Sequence, residues 1–310
     1  MARRELPLAA LTVATAVAAG LPDGDVVVGC SGGADSLALA LGAAWAARRA
    51  GTRAEAVVVD HGLQPGSAEV ARRVVARLDA VGVPARAQRV EVRPGADGVE
   101  AAARDARLAT LAEPGLPVLL GHTLDDQAET VLLGLLRGSG TRSLAGMAPV
   151  RGLFRRPLLG LRRADTEAAC RAWGVEWWED PMNDDPSFAR VGARRALATL
   201  AVDLGRDVAP ALARTARLAR ADADLLDALA EEENRPVPDG ALRVEDLRPL
   251  PDALRWRVLR SWLRNAGLAP SFEGVLAVDA FVTGWRGQGP TALPGGAVAR
   301  VGGELHITAG

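Results

Sequence analysis

Four short apolar runs recur along the first part of the chain, and each is followed by a stretch with helical spacing of its apolar side chains. The apolar runs cover residues 25–30, 54–62, 84–92 and 116–123, and the helical stretches cover 36–50, 67–82, 98–112 and 124–138. Near-continuous Val and Leu in strand-length runs is typical of parallel strands covered on both faces. The pattern predicts an α/β fold with a doubly wound parallel sheet and with ligands at the carboxyl ends of the strands.

The pattern changes after about residue 205, where long charged helical stretches replace the alternation of strand and helix. Residues 209–235 and 250–267 have helical spacing. Residues 297–307 alternate around two glycines, which predicts a terminal β-hairpin. We therefore expect one α/β domain over residues 1–205 and a smaller, mainly helical C-terminal domain over residues 206–310.

The first twenty residues have a basic start, an apolar middle and small residues at the end, as secretory signals do. Glu5 and Pro7 interrupt this pattern and a strand begins near Asp25, so we expect a helix that covers the edge of the sheet. No later apolar run reaches the roughly 18 uncharged residues of a membrane span. The two cysteines, Cys30 and Cys170, form no CxxC pair, and a reduced, cytoplasmic setting is the default expectation.

Charge is nearly balanced over the whole chain, with 37 basic and 38 acidic residues and a formal net charge of −1. All the basic residues are arginines. From Thr130 to Ala164 the chain has no acidic residue and seven arginines, at positions 137, 142, 151, 155, 156, 162 and 163. Such a local strip favours contact with a phosphate backbone, and a solvated basic face is the alternative.

Small and hydroxyl residues join the first strand to its helix, in the turn Ser31–Ser36. Glycines in such a turn let backbone N–H groups surround an anion, and the helix adds its positive end. The turn cannot be a Walker P-loop, which requires a lysine. A simple tight strand-to-helix connection is the alternative interpretation.

Two further groups of charged residues have helical spacing. Asp125, Asp126 and Glu129 open the helix after the fourth strand, where they form either a cation site or carboxylates that complement the helix dipole. Arg104 and Arg107 share a helical face with Glu100, as either an active-site group or a surface ion pair.

Taken together, these segments carry a family resemblance. The turn "SGGADS" matches the signature of the PP-loop ATP pyrophosphatases, which have an adenine nucleotide α-hydrolase-like fold. The segments "VDHGLQ", "EAAARDAR", "GHTLDDQAETVLLGLLRGSG", "LAGM", "RRPLLGLRR" and "WEDPMNDDPSFARVGARRAL" follow in an order that resembles the tRNA(Ile)-lysidine synthase family. Two departures are Leu108 and Val191, where the family commonly has an aromatic residue and an asparagine.

The resemblance implies that the C-terminal domain binds tRNA and that free L-lysine is joined to C2 of the wobble cytidine in tRNA(Ile) with a CAU anticodon. ATP and Mg²⁺ are the implied cofactors, the tRNA intermediate is adenylated, and AMP and pyrophosphate are released. A homodimer is a further option, and no membrane is involved. A tRNA thiolase of the 2-thiocytidine type and an inactive nucleotide- or RNA-binding module stay open as alternatives.

The same resemblance implies roles for individual residues. The nucleotide would be bound by Ser31, Gly32, Gly33, Ala34, Asp35, Ser36, Asp60, His61 and His122. The catalytic residues would be Asp35, Arg104, Arg107, Asp125, Asp126 and Glu129, with Asp35 and Asp126 as metal ligands. The tRNA would be bound by Arg137, Arg142, Arg155, Arg156, Arg190, Arg194 and Arg195.

Overall fold

The computed structural model describes residues 6–62, 66–92, 98–138, 140–179, 188–237 and 239–309. The chain divides into two units. The first unit comprises the residues up to Arg137 together with Gly146–Ala216, and the second comprises Gly138–Ala145 and the residues from Arg217 onward. The sequence places a boundary near residue 205, whereas this division falls eleven residues later and assigns the short segment Gly138–Ala145 to the second unit.

Ten strands and twelve helices are found in the described residues. The strands are β1 (Val26–Gly29), β2 (Ala54–Asp60), β3 (Ala85–Arg89), β4 (Val118–Leu120), β5 (Val150–Arg151), β6 (Phe154–Arg155), β7 (Leu242–Arg243), β8 (Thr291–Leu293), β9 (Gly296–Val301) and β10 (Glu304–Ala309). The helices are α1 (Leu8–Ala19), α2 (Ala34–Ala50), α3 (Ser67–Ala80), α4 (Gly98–Ala112), α5 (Leu124–Leu136), α6 (Thr141–Leu144), α7 (Arg163–Trp173), α8 (Ala189–Asp203), α9 (Ala209–Glu233), α10 (Val244–Leu247), α11 (Asp252–Asn265) and α12 (Phe272–Thr283).

The first unit is built on a six-stranded sheet in the order β3-β2-β1-β4-β6-β5. Neighbouring strands from β3 to β6 are parallel, and only β5, at the edge, runs antiparallel to its neighbour β6. Alternate residues of the strands enter two separate cores: Val26 and Val28 pack on one face, and Val27 packs on the other. The predicted doubly wound α/β fold is confirmed.

Helix α1 does not take the place that the sequence suggested. It packs mainly against α2 and α7 and not along the edge of the sheet. Gly42 of α2 permits the close approach, since a Cβ there would lie 3.1 Å from Cγ2 of Val17. None of the described helices is both long enough and apolar enough to cross a membrane.

The second unit combines helices with a four-stranded antiparallel sheet in the order β7-β10-β9-β8. The predicted hairpin is β9–β10, whose turn is Gly302–Gly303 with both φ angles positive. Leu259 and Phe281 lie in the hydrophobic core of the second unit. Arg255 is buried in the same unit and its Nε donates to Oδ1 of Asp279 at 2.5 Å.

One glycine sets the geometry of the turn after β1. Gly32 has φ +88°, and a Cβ there would lie 2.5 Å from Cγ2 of Val74 on α3. Gly51, at the end of α2, has a similar φ of +73°, but no described atom lies within 4 Å of its Cβ position. Both glycines therefore have a left-handed backbone conformation. At Gly32 a side chain would also clash with Val74.

We expect Gly32→Ala to lower the free energy of unfolding more than Gly51→Ala does. The left-handed conformation costs each variant about 1–2 kcal/mol, and the clash with Val74 adds about 1–3 kcal/mol at position 32. Urea unfolding followed by circular dichroism measures the difference. Equal losses in the two variants would show that Val74 yields without cost.

Candidate active site

The turn after β1 is held together by the hydroxyl of Ser36. This oxygen accepts from the Ser31 N–H at 3.1 Å and donates to the Gly33 carbonyl at 3.0 Å. The Ser31 hydroxyl lies 3.3 Å from it, and the Trp178 N–H donates to the Gly32 carbonyl at 3.0 Å. Ser31 and Ser36 are thus part of the scaffold that fixes the backbone of the turn.

The N-terminus of α2 opens at this turn. Gly33 is its N-cap residue, and no described side chain caps the first N–H groups, which include those of Ala34 and Asp35. A Cβ at Gly33 would make ordinary van der Waals contact with the Ser31 Oγ at 3.8 Å and with the Trp178 carbonyl oxygen at 4.0 Å. Uncapped N–H groups and the positive end of a helix fit a phosphate group.

Asp35 and Asp126 lie on either side of one guanidinium. Arg163, the first residue of α7, places its Nε 3.3 Å from Oδ2 of Asp35 and its Nη2 3.4 Å from Oδ1 of Asp126. The other oxygens accept from hydroxyls: Oδ1 of Asp35 from Thr166, and Oδ2 of Asp126 from Thr123 at 2.9 Å. Residues from α2, α5 and α7 therefore meet at one point.

The environment of Asp35 disfavours the ionised form of its carboxyl group. Burial raises the pKa of the Asp35 carboxyl, and the nearby charge of Asp126 raises it further. The Thr166 hydroxyl and the Arg163 guanidinium lower this pKa but do not cancel the effect of burial. A carboxyl whose charged form is disfavoured in this way gains from an additional cation.

Asp125 has a different environment from its neighbour Asp126. The Arg162 guanidinium donates to both of its oxygens, with Nη2 at 2.7 Å from Oδ1, and the Arg163 N–H donates to Oδ2 at 2.8 Å. Burial alone would raise the pKa of the Asp125 carboxyl, but these hydrogen bonds outweigh it and the pKa is lowered. Arg162 also pairs with Asp207. Asp125 therefore ties the start of α7 to the start of α5.

Glu129 is almost completely enclosed, at 1% exposure. Its Oε1 accepts from Nε of Arg194, on α8, at 2.8 Å, and its Oε2 has no hydrogen-bond partner among the described residues. Burial raises the pKa of the Glu129 carboxyl, and the neighbouring Asp126 charge adds to the rise. An enclosed carboxylate oxygen without a donor is a place where an N–H group of a ligand can bind.

Positive charge collects beside the acidic residues. Burial lowers the pKa of the Arg107 guanidinium, and the charges of Arg104 and Arg190 lower it further. Burial also lowers the pKa of His122, to about 4, against the opposing effect of Asp126. The pKa of His61 is lowered first by burial and then by Arg107.

Three nitrogen atoms of this group are enclosed without a hydrogen-bond partner in the part of the chain that the structure describes. They are Nε of Arg107, Nδ1 of His61 and Nδ1 of His122. Asp60, which precedes His61, accepts from the Gly62 N–H at 2.9 Å and so fixes the end of β2. A group of arginines in which Arg107 has a nitrogen atom without a partner, next to neutral histidines, is suited to a polyanion.

The arginines of the predicted strip are divided between the two units. Arg142 lies in the second unit and pairs with Asp224 and Asp227. Arg194 is occupied by Glu129, as described above. The remaining predicted tRNA contacts are Arg155 and Arg156 at β6, Arg190 and Arg195 on α8, and Arg137 after α5. The side chain of Glu100 lies outside the described part of the chain.

Several residues of this site were missed by sequence reasoning. Arg162 and Arg163 are counted in the basic strip, yet each binds a carboxylate of the site. Thr166 carries no local signal. Thr123 was recognisable, because it precedes Asp126 by three residues as in a capping box, and the structure shows the reciprocal bonds. Gln127 binds Met147 from both ends of its amide, at 2.7 and 3.1 Å, which anchors the "LAGM" segment.

We expect His122 to stay neutral well below pH 6.5. Since its folded pKa of about 4 lies below the ordinary value of about 6.5, the unfolded chain binds more protons between these pH values. The free energy of unfolding should therefore fall as the pH falls through this window, by about 3 kcal/mol for this one group.

The His122→Gln variant should lack this part of the pH dependence, and NMR of the imidazole ring should give the midpoint directly. A titration midpoint near pH 6.5 in the folded protein would contradict the expectation.

Two known protein families match separate parts of the chain. The PP-loop domain family matches residues 9–201, and the TilS substrate binding domain family matches residues 242–306. A solved U34-tRNA thiolase NcsA from Methanococcus maripaludis superposes with a TM-score of 0.56 over 68% of this chain and 80% of its own. At 16% identity, that likeness concerns the fold alone.

Much closer relatives are found among curated sequences. A tRNA(Ile)-lysidine synthase from Leifsonia xyli is 50% identical over 92% of this chain and 90% of its own length. A tRNA(Ile)-lysidine synthase from Nocardia farcinica is 52% identical over 87% of this chain and 86% of its own length. With a PP-loop domain carrying the site described above and relatives this similar over nearly their whole length, the chain belongs to the tRNA(Ile)-lysidine synthase family.

Proposed function

We propose that this protein uses ATP to ligate free L-lysine to C2 of the wobble cytidine of tRNA(Ile) with a CAU anticodon, forming lysidine. The observation that carries the proposal is the meeting of an anion site and an acidic site at the carboxyl end of one parallel sheet. The reaction needs both, because it brings a triphosphate and an alkyl ammonium group to the same base. The curated relatives named above support the same activity.

The turn Ser31–Ser36 and the neighbouring cationic group would bind ATP. The uncapped N–H groups of α2 suit the phosphates, and Arg107 offers an enclosed nitrogen atom without a partner. His122 would contribute as a neutral hydrogen-bonding group. The end of β2, at Asp60 and His61, would border the adenosine.

The carboxylates of Asp35 and Asp126 fit a magnesium ion, since both are oxygen ligands and burial disfavours the charge of Asp35. When bound, Mg²⁺ would neutralise charge on the polyphosphate and the departing pyrophosphate. This assignment uses one oxygen from each carboxylate, because the other oxygen accepts from a threonine hydroxyl.

The ammonium group of lysine would bind at Glu129 and Asp126. Glu129 presents an enclosed oxygen without a donor, and an ammonium group supplies one. At pH 7 only about one lysine amine in a few thousand is neutral, so a neighbouring carboxylate that accepts the proton makes the amine a nucleophile. Asp125 would act by positioning α7, because Arg162 and the Arg163 N–H already occupy its two oxygens.

The chemistry follows from these positions. The C2 oxygen of cytidine attacks the α-phosphorus of ATP and pyrophosphate leaves, which makes that oxygen part of a good leaving group. The lysine amine then attacks C2, AMP leaves with the oxygen, and the amine proton passes to a carboxylate. Arg104 and Arg107 would stabilise the negative charge that develops on the phosphates.

Binding of the tRNA would use Arg137, Arg155, Arg156, Arg190 and Arg195 together with the second unit, which matches a substrate binding domain. Arg142 and Arg194 would contribute only by leaving the carboxylates that they contact. A tRNA substrate is consistent with the predicted cytoplasmic location. The homodimer stays a prediction.

Incubation with labelled lysine, ATP, Mg²⁺ and a CAU-anticodon isoleucine tRNA tests the proposal, and label should enter the tRNA. Asp126→Asn should lower incorporation at least about a hundredfold, because the amide keeps the acceptor for Thr123 but loses the charge. Asp105→Asn, an exposed change on α4, is the matched control and should act as wild type.

Two results would contradict the proposal. Full incorporation by Asp126→Asn would remove the assigned role of that carboxylate. An absence of both lysine incorporation and AMP release with every tRNA tried would favour a binding module without catalysis.

A further inference from the structure

Arg163 lies where a cation would be expected. Its guanidinium is shared by Asp35 and Asp126, and its charge also acts on the enclosed Glu129. The three carboxylates come from two helices, and Arg163 reaches them from a third, α7. Arg163 contacts Asp35 and Asp126, and Arg194 contacts Glu129.

The contacts of Arg163 are long for charged partners. Its nitrogen atoms lie 3.3 and 3.4 Å from the two carboxylates, whereas charge-assisted N–H···O bonds are typically about 2.7–2.9 Å. The neighbouring Arg162 provides a direct comparison, with Nη2 at 2.7 Å from Asp125 and further bonds to both of its oxygens. Arg162 is therefore a tight cross-link, while Arg163 is a loose one.

Each of the two carboxylates has a further hydrogen-bond donor besides Arg163. Asp35 is held by the Thr166 hydroxyl, and Asp126 by the hydroxyl and the N–H of Thr123, the latter at 2.7 Å. Each thus keeps one oxygen fixed and directs the other toward the guanidinium. A cation that replaced the guanidinium would find both oxygens already in place.

We propose that Arg163 is an internal counter-ion that occupies the magnesium site of this protein and is displaced when Mg²⁺ binds to Asp35 and Asp126. Arg163 is a positioning residue in this role, because it acts through the two carboxylates. The inference rests on the proposed function only for the identity of the ion. In this arrangement Arg163 and Mg²⁺ compete for the same two carboxylates. The guanidinium compensates their buried negative charge when Mg²⁺ is absent, and it therefore lowers the affinity for Mg²⁺.

If Arg163 competes with Mg²⁺, its removal should strengthen the binding of Mg²⁺. Removal of a residue that supports the metal site should weaken that binding. Arg163→Met should bind Mg²⁺ at least about tenfold more tightly than wild type, measured by isothermal titration calorimetry with MgCl₂ alone. Without Mg²⁺ the variant should be less stable than wild type, because two partly buried carboxylates lose their counter-ion. Added Mg²⁺ should then raise its melting temperature by several degrees and that of wild type by less.

Three further variants make the test specific. Arg171→Met removes an exposed guanidinium farther along the same helix, which pairs with Glu167, and should leave the affinity for Mg²⁺ unchanged. Arg163→Met combined with Asp126→Asn should lose the gain in affinity. Arg163→Lys keeps a charge that cannot span both carboxylates, and should bind Mg²⁺ with an intermediate affinity.

A Mg²⁺ affinity of Arg163→Met equal to or weaker than that of wild type would overturn the proposal. A variant that folds only in the presence of Mg²⁺ would support it, while one that stays unfolded at saturating Mg²⁺ would show a structural cross-link and overturn it. Lysine incorporation is measured separately, so a failure of the proposed function leaves the Mg²⁺ titration interpretable.

Discussion

Burial of charge at the carboxyl end of the parallel sheet is the constraint on which this site depends. Asp35, Asp126 and Glu129 form an acidic group, while Arg107 and the neighbouring arginines form a cationic group beside neutral histidines. Direct ion pairs between the two groups would neutralise the charge that each group offers to a ligand. The cationic group instead keeps enclosed nitrogen atoms without partners, which is costly in a protein interior unless a ligand uses them.

Helix α7 is the element that maintains this arrangement. Its N-terminus carries two adjacent arginines: the N-cap residue Arg162 binds Asp125 tightly, and Arg163 balances the charge of Asp35 and Asp126. Thr166, one turn later, orients Asp35. Helices α2 and α5 each begin at the end of a strand, so a third helix docked across their N-termini fixes the distance between their first carboxylates.

Much of the fold could be predicted because it follows from periodicity. The apolar runs became β1 to β4, the intervening stretches became α2 to α5, and the Gly302–Gly303 turn became the β9–β10 hairpin. The short edge strands β5 and β6 are two residues each, too short for any pattern to show. Helix α12 was missed because its residues are apolar on most sides, which leaves no amphipathic signal.

The sequence by itself determined the fold class, the family and the glycine-containing turn that we propose as the nucleotide site, because each is encoded in neighbouring residues: strand periodicity, ordered motifs, and glycines before a helix. Tertiary structure alone decided which charges meet. Arg163 is 128 positions from Asp35, and Arg194 is 65 positions from Glu129. Local sequence carries no record of such pairs, since they exist only after the helices pack, and electrostatic partnership depends on distance and burial.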